Sequence, residues 1–470
     1  MQTLIRVCTI VFYNNKYERA SGWIKQSCEY AVKIGSGEND KKMESRSLAE
    51  GLGLSYGSDH FCIFREHRAG LWYVRKSDDI INNGMFVSLN GFEYQVYLDV
   101  QQVVDTAEGK YAKLNELLNG SGTPDLDVAW QEYRYKDLYA ALEKFATPEL
   151  FKRLKLVFNP ALATKENEGV VPKTEEIFAE IKDAALAYYE KEAQFALESG
   201  EKAKTASQKA ARSSKKASSL TPTQRFQAFC KQIEYLVATV TSALGLEGTE
   251  SDPLSSSRAR SNSVVKVTSN NLLYEGLTNI PCAAEILSAF AIVSSAGSEN
   301  CQKWGYNRKL TELLGKADIR TPEMQDTFKR IFLLMRIRNL NFGASGQIQS
   351  TYEVAKFLVE SEYASLLSGA NEFNGVRWFN KEKMETTLWY AFAAIAMYSP
   401  RILREQIHRL YRTLSAAKDS SEYKCEKFTS AVQPVEKVKR TRRTKKSTET
   451  EKEENSSKKS AEDSANLEQK

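Results

Sequence analysis

Few residues of this sequence have the types and spacing that chemistry at a protein site requires. Its three histidines are His60, His67 and His408, and the first two bracket a short apolar run with Asp59, Arg65 and Glu66 beside them. His67 with Glu66 would make a base and its orienting carboxylate. Neighbours on an extended strand point to opposite faces, however, so the two diverge and read as surface or turn residues. No Gly-x-Ser-x-Gly elbow supplies a nucleophile. Seven cysteines stand at 8, 28, 62, 230, 282, 301 and 425 with no Cys-x-x-Cys among them. That pattern predicts buried, reduced thiols. The histidines and cysteines lack metal-site spacing, so no zinc centre is expected.

Phosphate cradles are equally weak. Residues 51–57 (GLGLSYG) miss a dinucleotide fingerprint by one position, and a strand follows where a helix N-terminus would be needed, so they read as a turn. Asn119-Gly120-Ser121-Gly122 precedes a helix but lacks the Lys-Ser/Thr of a phosphate loop, and reads as a flexible connector. Trp23, Trp72 and Tyr73 could stack on sugar rings, although aromatics in a small β-domain also serve as core packing. These three are the carbohydrate-contact candidates. No catalytic residue, metal ligand or cofactor is assigned.

The elements that must position such groups change character along the chain. Residues 1–104 read as β. Residues 4–13 are a β-branched and aromatic run closed by Asn14 and Asn15, and residues 23–34 place Ile24, Cys28, Tyr30 and Val32 on one face. Residues 61–65 and 71–75 flank a hairpin connection at 66–70, while 86–89 and 94–104 are separated by Asn90-Gly91. Short strands with turn residues and no long helices between them predict an antiparallel sandwich.

After Asp105 the periodicity is helical. Thr123-Pro124-Asp125, Thr147-Pro148-Glu149 and Thr321-Pro322-Glu323 each offer a capping hydroxyl, a proline at the first helical position and a carboxylate at the positive end of the dipole. Thr221-Pro222-Thr223-Gln224 adds a capping box. Its helix carries Phe226, Cys230, Ile233, Val237, Val240 and Leu244 three or four apart, a seam too short for a coiled coil and suited to a bundle. Further helices are expected at 174–196, 282–293, 325–340, 351–368, 381–398 and 400–415. Residues 247–271 read as a polar loop. The expected fold is α+β multidomain: an N-terminal antiparallel β-sandwich (1–104), a helical region (105–196), a Lys/Ser-rich linker (197–222), a helical bundle (223–415) and a disordered charged tail (416–470).

The chain has 470 residues, about three domains by the usual prior. Its 42% hydrophobic and 27% charged content is ordinary for a globular protein. The longest apolar run, Leu388 to Tyr398, has eleven residues, and a membrane span needs about twenty. Arg6 interrupts the apolar N-terminus, which reads as a strand and not a secretion signal. A cytoplasmic protein that contacts no membrane is expected. The net charge of +6 is unevenly placed. Residues 201–218 carry a surplus of five positive charges and residues 435–470 a surplus of three, which leaves −2 for the rest. A nucleic-acid-binding fold would carry its cations on the folded surface, so nucleic acid is not the expected partner.

Several extended runs resemble the region beyond the barrel in very large alpha-amylase-family glycoside hydrolase-like proteins. They are residues 11–17 (VFYNNKY), 20–24 (ASGWI), 48–54 (LAEGLGL), 64–67 (FREH), 70–75 (GLWYVR), 94–99 (YQVYLD) and 117–124 (LLNGSGTP), with 373–382 (FNGVRWFNKE) far downstream. The resemblance covers roughly residues 1–415 in patches. In that family the chemistry resides in a (β/α)₈ barrel whose paired carboxylates flank the scissile bond. This sequence has no such alternation of strands and helices. Its one echo of the Gly-x-Arg-x-Asp nucleophile motif, Gly375-Val376-Arg377-Trp378-Phe379, has Phe in place of Asp.

The resemblance therefore implies a non-catalytic portion that braces or recruits a carbohydrate-active barrel, with a separately encoded barrel or an α-glucan as partner. A β-domain taken from beside its barrel should expose an apolar patch unless something covers it. Two other readings stay open. One is a helical protein recruited to nucleic acid or ribosomes by its basic segments. The other is a glycosidase using carboxylates that no motif marks.

Overall fold

The first strand carries apolar residues on both sides, and the fold uses the two sides unequally. The structure, a computed structural model, describes residues 8–37, 40–162, 171–203, 220–244, 272–317, 324–339, 351–398 and 404–433. The expected cap at Thr321, the loop at 247–271, most of the 197–222 linker and residues 434–470 of the tail lie outside the described residues.

Eight strands form among the described residues up to 104: β1 (Cys8–Tyr13), β2 (Ala20–Ile24), β3 (Tyr30–Lys33), β4 (Lys41–Glu44), β5 (His60–Glu66), β6 (Trp72–Lys76), β7 (Met85–Leu89) and β8 (Tyr94–Val104). They pair as one antiparallel sheet of order β1-β8-β5-β6 and two antiparallel ribbons, β2–β7 and β3–β4. The expected strand at 23–34 divides at residues 25–29, which are exposed on both sides and make only an isolated bridge between Gln26 and Ser47. The turn expected at 51–57 begins as a short helix, α1 (Leu48–Leu52). Ser47 and Glu50 close a capping box at its start, and Gly53 ends it in the left-handed region at φ 68°.

Each face of the four-stranded sheet meets a different cover. Ile10, Phe12, Phe64, Tyr97 and Val100 share one core with Met85, Val87 and Leu89 of β7 and with Ile80 of α2 (Ser77–Asn83). On the opposite face, Phe61, Ile63 and Val74 lie beneath Leu114 of α3 (Lys110–Leu118) and Leu126 and Trp130 of α4 (Leu126–Arg134). The first two helices after residue 104 thus complete the β unit. A backbone bridge between Trp72 and Thr123, with N···O distances of 2.7 and 2.9 Å, clamps the Asn119–Gly122 connector to the sheet edge. Because that bridge holds Thr123 extended, the cap of α4 moves to Asp125, whose carboxylate accepts from the backbone N–H of Asp127 and Val128.

The remaining described residues are helical except for one hairpin. The helices are α5 (Lys136–Phe145), α6 (Pro148–Phe158), α7 (Thr174–Ala203), α8 (Pro222–Leu244), α9 (Leu272–Asn279), α10 (Ala283–Val293), α11 (Ser298–Lys303), α12 (Tyr306–Lys316), α13 (Met324–Asn339), α14 (Thr351–Glu360), α15 (Glu362–Leu367), α16 (Lys381–Tyr398), α17 (Arg404–Ser420) and α18 (Cys425–Ser430). Thr147 caps α6, and Thr221 with Gln224 closes the box before α8, both as their sequences predict. Every residue of α10 is buried, as is α16 from Thr387 to Met397. The helix starting at Pro222 packs against α7, α16 and α10, so its apolar seam meets a bundle and not a single partner.

Three expected boundaries shift. The helix expected at 174–196 runs on to Ala203, so the first residues of the expected linker are helical. Helix 351–368 breaks at Ser361, whose hydroxyl caps α15. Ordered chain extends past residue 415, because Cys425 and Phe428 of α18 are buried and Phe428 packs on Phe379. Residues 416–433 therefore belong to the helical body and not to the charged tail. The hairpin β9 (Asn371–Phe373) to β10 (Val376–Trp378) turns on Asn374 and Gly375, both at positive φ, which suits an Asn-Gly two-residue loop. Among the described residues, no single helix is long and apolar enough to cross a membrane.

Candidate functional site

Among the described residues, the helices over the β-sheet cover only half of one face. Val11 and Tyr13 of β1 lie opposite Val96 and Tyr94 of β8, on the same side of the sheet as Phe61 and Ile63. The β5–β6 half of that side is closed by α3 and α4, whereas Val11, Tyr13 and Tyr94 are 62%, 58% and 51% exposed. β1 is the sheet's edge strand. Its inner residues Ile10 and Phe12 are fully used in packing, so the open outer row is not a consequence of a poorly formed strand.

A β-bulge marks the border between the covered and open halves. The ladder of β8 shifts register against both β1 and β5 near Asp99, which sits at φ 54°. Asp tolerates this left-handed conformation better than most residues. The bulge aims its carboxylate at Arg65, whose Nε and Nη2 lie 3.1 and 3.0 Å away, and the Arg65 guanidinium also rests 5.8 Å from the Trp72 ring centre. At the open end the Arg68 guanidinium sits 5.5 Å from the Tyr94 ring centre. The open half is thus an apolar strip with an ion-paired arginine at each end, Arg65 with Asp99 and Arg68 with Glu93 at 3.7 Å, a composition suited to recognising a surface.

The three carbohydrate-contact candidates do not converge. Trp72 and Tyr73 are successive residues of β6 and point to opposite faces. Trp72 packs at the border just described, and Tyr73 stacks on Phe64 inside the sheet–ribbon core, with centroids 5.6 Å apart. Trp23 lies on β2, 64% exposed, edge-to-face with Phe86 of β7 at 5.7 Å. The β7 residues on either side of Phe86 face the core, so the Trp23–Phe86 pair looks outward from the opposite side of the β unit.

Nor do His60 and His67 assemble with acids. The Glu66 carboxylate accepts from the backbone N–H of Arg68 and Ala69 and so closes the hairpin turn, while His67 is exposed. The His60 Nδ1 lies 3.1 Å from the Tyr56 carbonyl. The Gly375–Phe379 echo is structural: the Arg377 guanidinium donates to the Val359 carbonyl at 2.7 Å and Phe379 is core. All seven cysteines are free thiols, but only Cys62, Cys301 and Cys425 are buried, and Cys28 is exposed. Burial pushes the Cys62 thiol up to about 12, so it is a packing group and not a nucleophile.

Sequence reading missed one polar cluster, deep in the helical body. Glu192 of α7 and Arg225 of α8 form an ion pair with 0% and 1% side-chain exposure. The carboxylate also accepts from Ser295 Oγ at 2.5 Å and from the Tyr188 hydroxyl at 2.8 Å, and Tyr188 is hydrogen-bonded to Tyr306 at 2.9 Å. Arg225 further donates to the carbonyls of Leu220 and Ser295. Burial raises the Glu192 carboxyl above its ordinary value, while Arg225, Ser295 and Tyr188 pull it back down. With its donors already supplied, this buried carboxylate acts as a structural clasp.

Comparison with known proteins adds no further constraint on the open sheet half. No family model, curated protein or solved structure matches this chain.

Proposed function

We propose that the chain is a non-catalytic accessory protein whose β unit docks on a carbohydrate-active barrel through the open half of its sheet. The observation that carries this reading is the uneven cover of one sheet face: apolar residues stand on all four of its strands, and among the described residues helices protect only the β5–β6 half. A strand apolar on both sides is built to be covered on both sides. The sequence runs that resemble the post-barrel region of alpha-amylase-family proteins supply the class of partner. In the finer form of this reading, the β2–β7 ribbon is the second layer of a small β-sandwich, the helical body is an interaction module, and the protein works in the cytoplasm. Contact with α-glucan, where it occurs, falls to Trp23, whose ring is the most open of the three candidates. The basic surpluses at 201–218 and 435–470 favour a second reading, recruitment to nucleic acid, which predicts binding that weakens steeply with salt.

The test pairs an activity assay with a docking assay. The purified chain should release no reducing sugar from starch, glycogen or pullulan. It should form a complex with an alpha-amylase-family barrel stripped of its own C-terminal domain, and Val11→Asp with Tyr13→Asp should abolish that complex without unfolding the chain. Turnover by the chain alone, or a complex indifferent to both substitutions, would refute the reading.

A further inference from the structure

Among the described residues, four cationic side chains are buried in the helical body: Arg225, Lys309, Arg330 and Lys418. Three of them meet a carboxylate, since Arg225 pairs with Glu192, Lys309 with Glu143 and Lys418 with Glu385. Arg330 of α13 is the exception among the described residues. It is 9% exposed, and its one described hydrogen bond runs from Nη1 to the Tyr390 hydroxyl at a long 3.4 Å, with the guanidinium carbon 5.3 Å from the same ring's centre. Asp326, one turn earlier on the helix, pairs with Lys329 at 3.0 Å instead. Buried arginines are rare without a paired anion, because the desolvated charge must be compensated.

The same Arg330 lines a cavity of about 190 Å³ between α13, α15 and α16. Arg330 and Tyr390 form its buried floor, and Leu366 and Leu367 add an apolar wall. For scale, an engineered apolar cavity of about 150 Å³ accommodates benzene.

We propose that this cavity is a binding site for a small organic carboxylate, held by its charge on the Arg330 guanidinium with its apolar part against Leu366 and Leu367. The guanidinium fork matches a carboxylate bidentately. The cavity is also lined by Asp326 and Glu382, whose negative charges oppose a dianion such as phosphate. Lys383 at the exposed rim adds a second positive charge to attract a monoanion.

The probe is sodium isobutyrate, titrated into the full chain at pH 7 against sodium chloride of equal ionic strength and followed by saturation-transfer NMR and calorimetry. Binding to the unaltered chain should saturate, and Arg330→Met should weaken it by at least about tenfold. Leu366 is 55% exposed, so Leu366→Asp places a repelling carboxylate at the rim without touching the core. It should also weaken binding by about tenfold, and it carries the test if Arg330→Met fails to fold. No saturable binding, equal binding by the unaltered chain and Leu366→Asp, or tighter binding of inorganic phosphate than of isobutyrate would each overturn the proposal.

Discussion

The β unit and the helical body close their apolar residues differently. In the helical body, α10 and the Thr387–Met397 stretch of α16 are buried throughout, and Glu192, Arg225, Ser295 and Tyr188 are joined to one another in the interior. In the β unit, the β2–β7 ribbon with α2 closes one face of the sheet, and among the described residues α3 and α4 close only half of the other. The comparison separates residues that hold the molecule together from residues left free to meet something else. A buried ion pair in one region and a half-exposed pair in the other make the contrast measurable.

Removing the buried cation should have the largest effect. Arg225→Met leaves Glu192 enclosed without its partner and should lower stability by about 3–5 kcal/mol in chemical denaturation at pH 7. Because burial already favours the neutral carboxyl of Glu192, this deficit should shrink as the pH falls and the carboxyl takes up a proton. The matching change in the β unit is Asp99→Asn, which breaks the Arg65 pair but keeps a residue type that tolerates positive φ. Both partners are 41% exposed, so the cost should stay below about 1 kcal/mol. Equal losses in the two variants would erase the distinction.

Alkali gives a smaller, graded effect. Burial pushes Tyr97 and Tyr135 up to about 12, and Tyr188, Tyr189 and Tyr306 well above the ordinary value near 10. An unfolded chain loses these protons first. Their contribution is therefore complete below about pH 10 and is lost as the pH rises toward the folded values. A spectrophotometric phenolate titration should show a late group of tyrosines that ionise together with the loss of helical circular dichroism.

The smallest effect is expected where docking is proposed. Tyr13→Ser and Trp23→Ser alter exposed side chains and should each change stability by within about 0.5 kcal/mol. A loss of several kcal/mol at Tyr13 would mean that this face is part of the β unit's own packing.

Much of this division is visible in the sequence, for local reasons. β1, β5, β6, β7 and β8 appear as runs of β-branched and aromatic residues, and the box at Thr221–Gln224 announces α8 because capping is a short-range interaction. Elements that depend on tertiary partners are not visible. The cap of α4 moves from Thr123 to Asp125 because Trp72 takes the Thr123 backbone into a bridge, a contact spanning fifty residues. The seven-residue α2 has too few apolar positions to show a helical period. Glu192 and Arg225 stand 33 residues apart, so neither spacing nor composition pairs them. The open half of the sheet was legible only as a clue: β1 has apolar residues on both sides, but which of them α3 and α4 would cover depends on how far those helices reach.

The clasp at Glu192 also sets how the helical body comes apart. Its donors arrive from α8, from the turn at Ser295 and, through Tyr188, from Tyr306 at the head of α12. None of these segments can swing away alone without exposing a stripped carboxylate or leaving it unsolvated, so partial opening gains little over complete opening. The backbone amides of α7, α8, α10 and α12 should therefore exchange with solvent as a single cooperative block, on one timescale, while those of β1 exchange sooner.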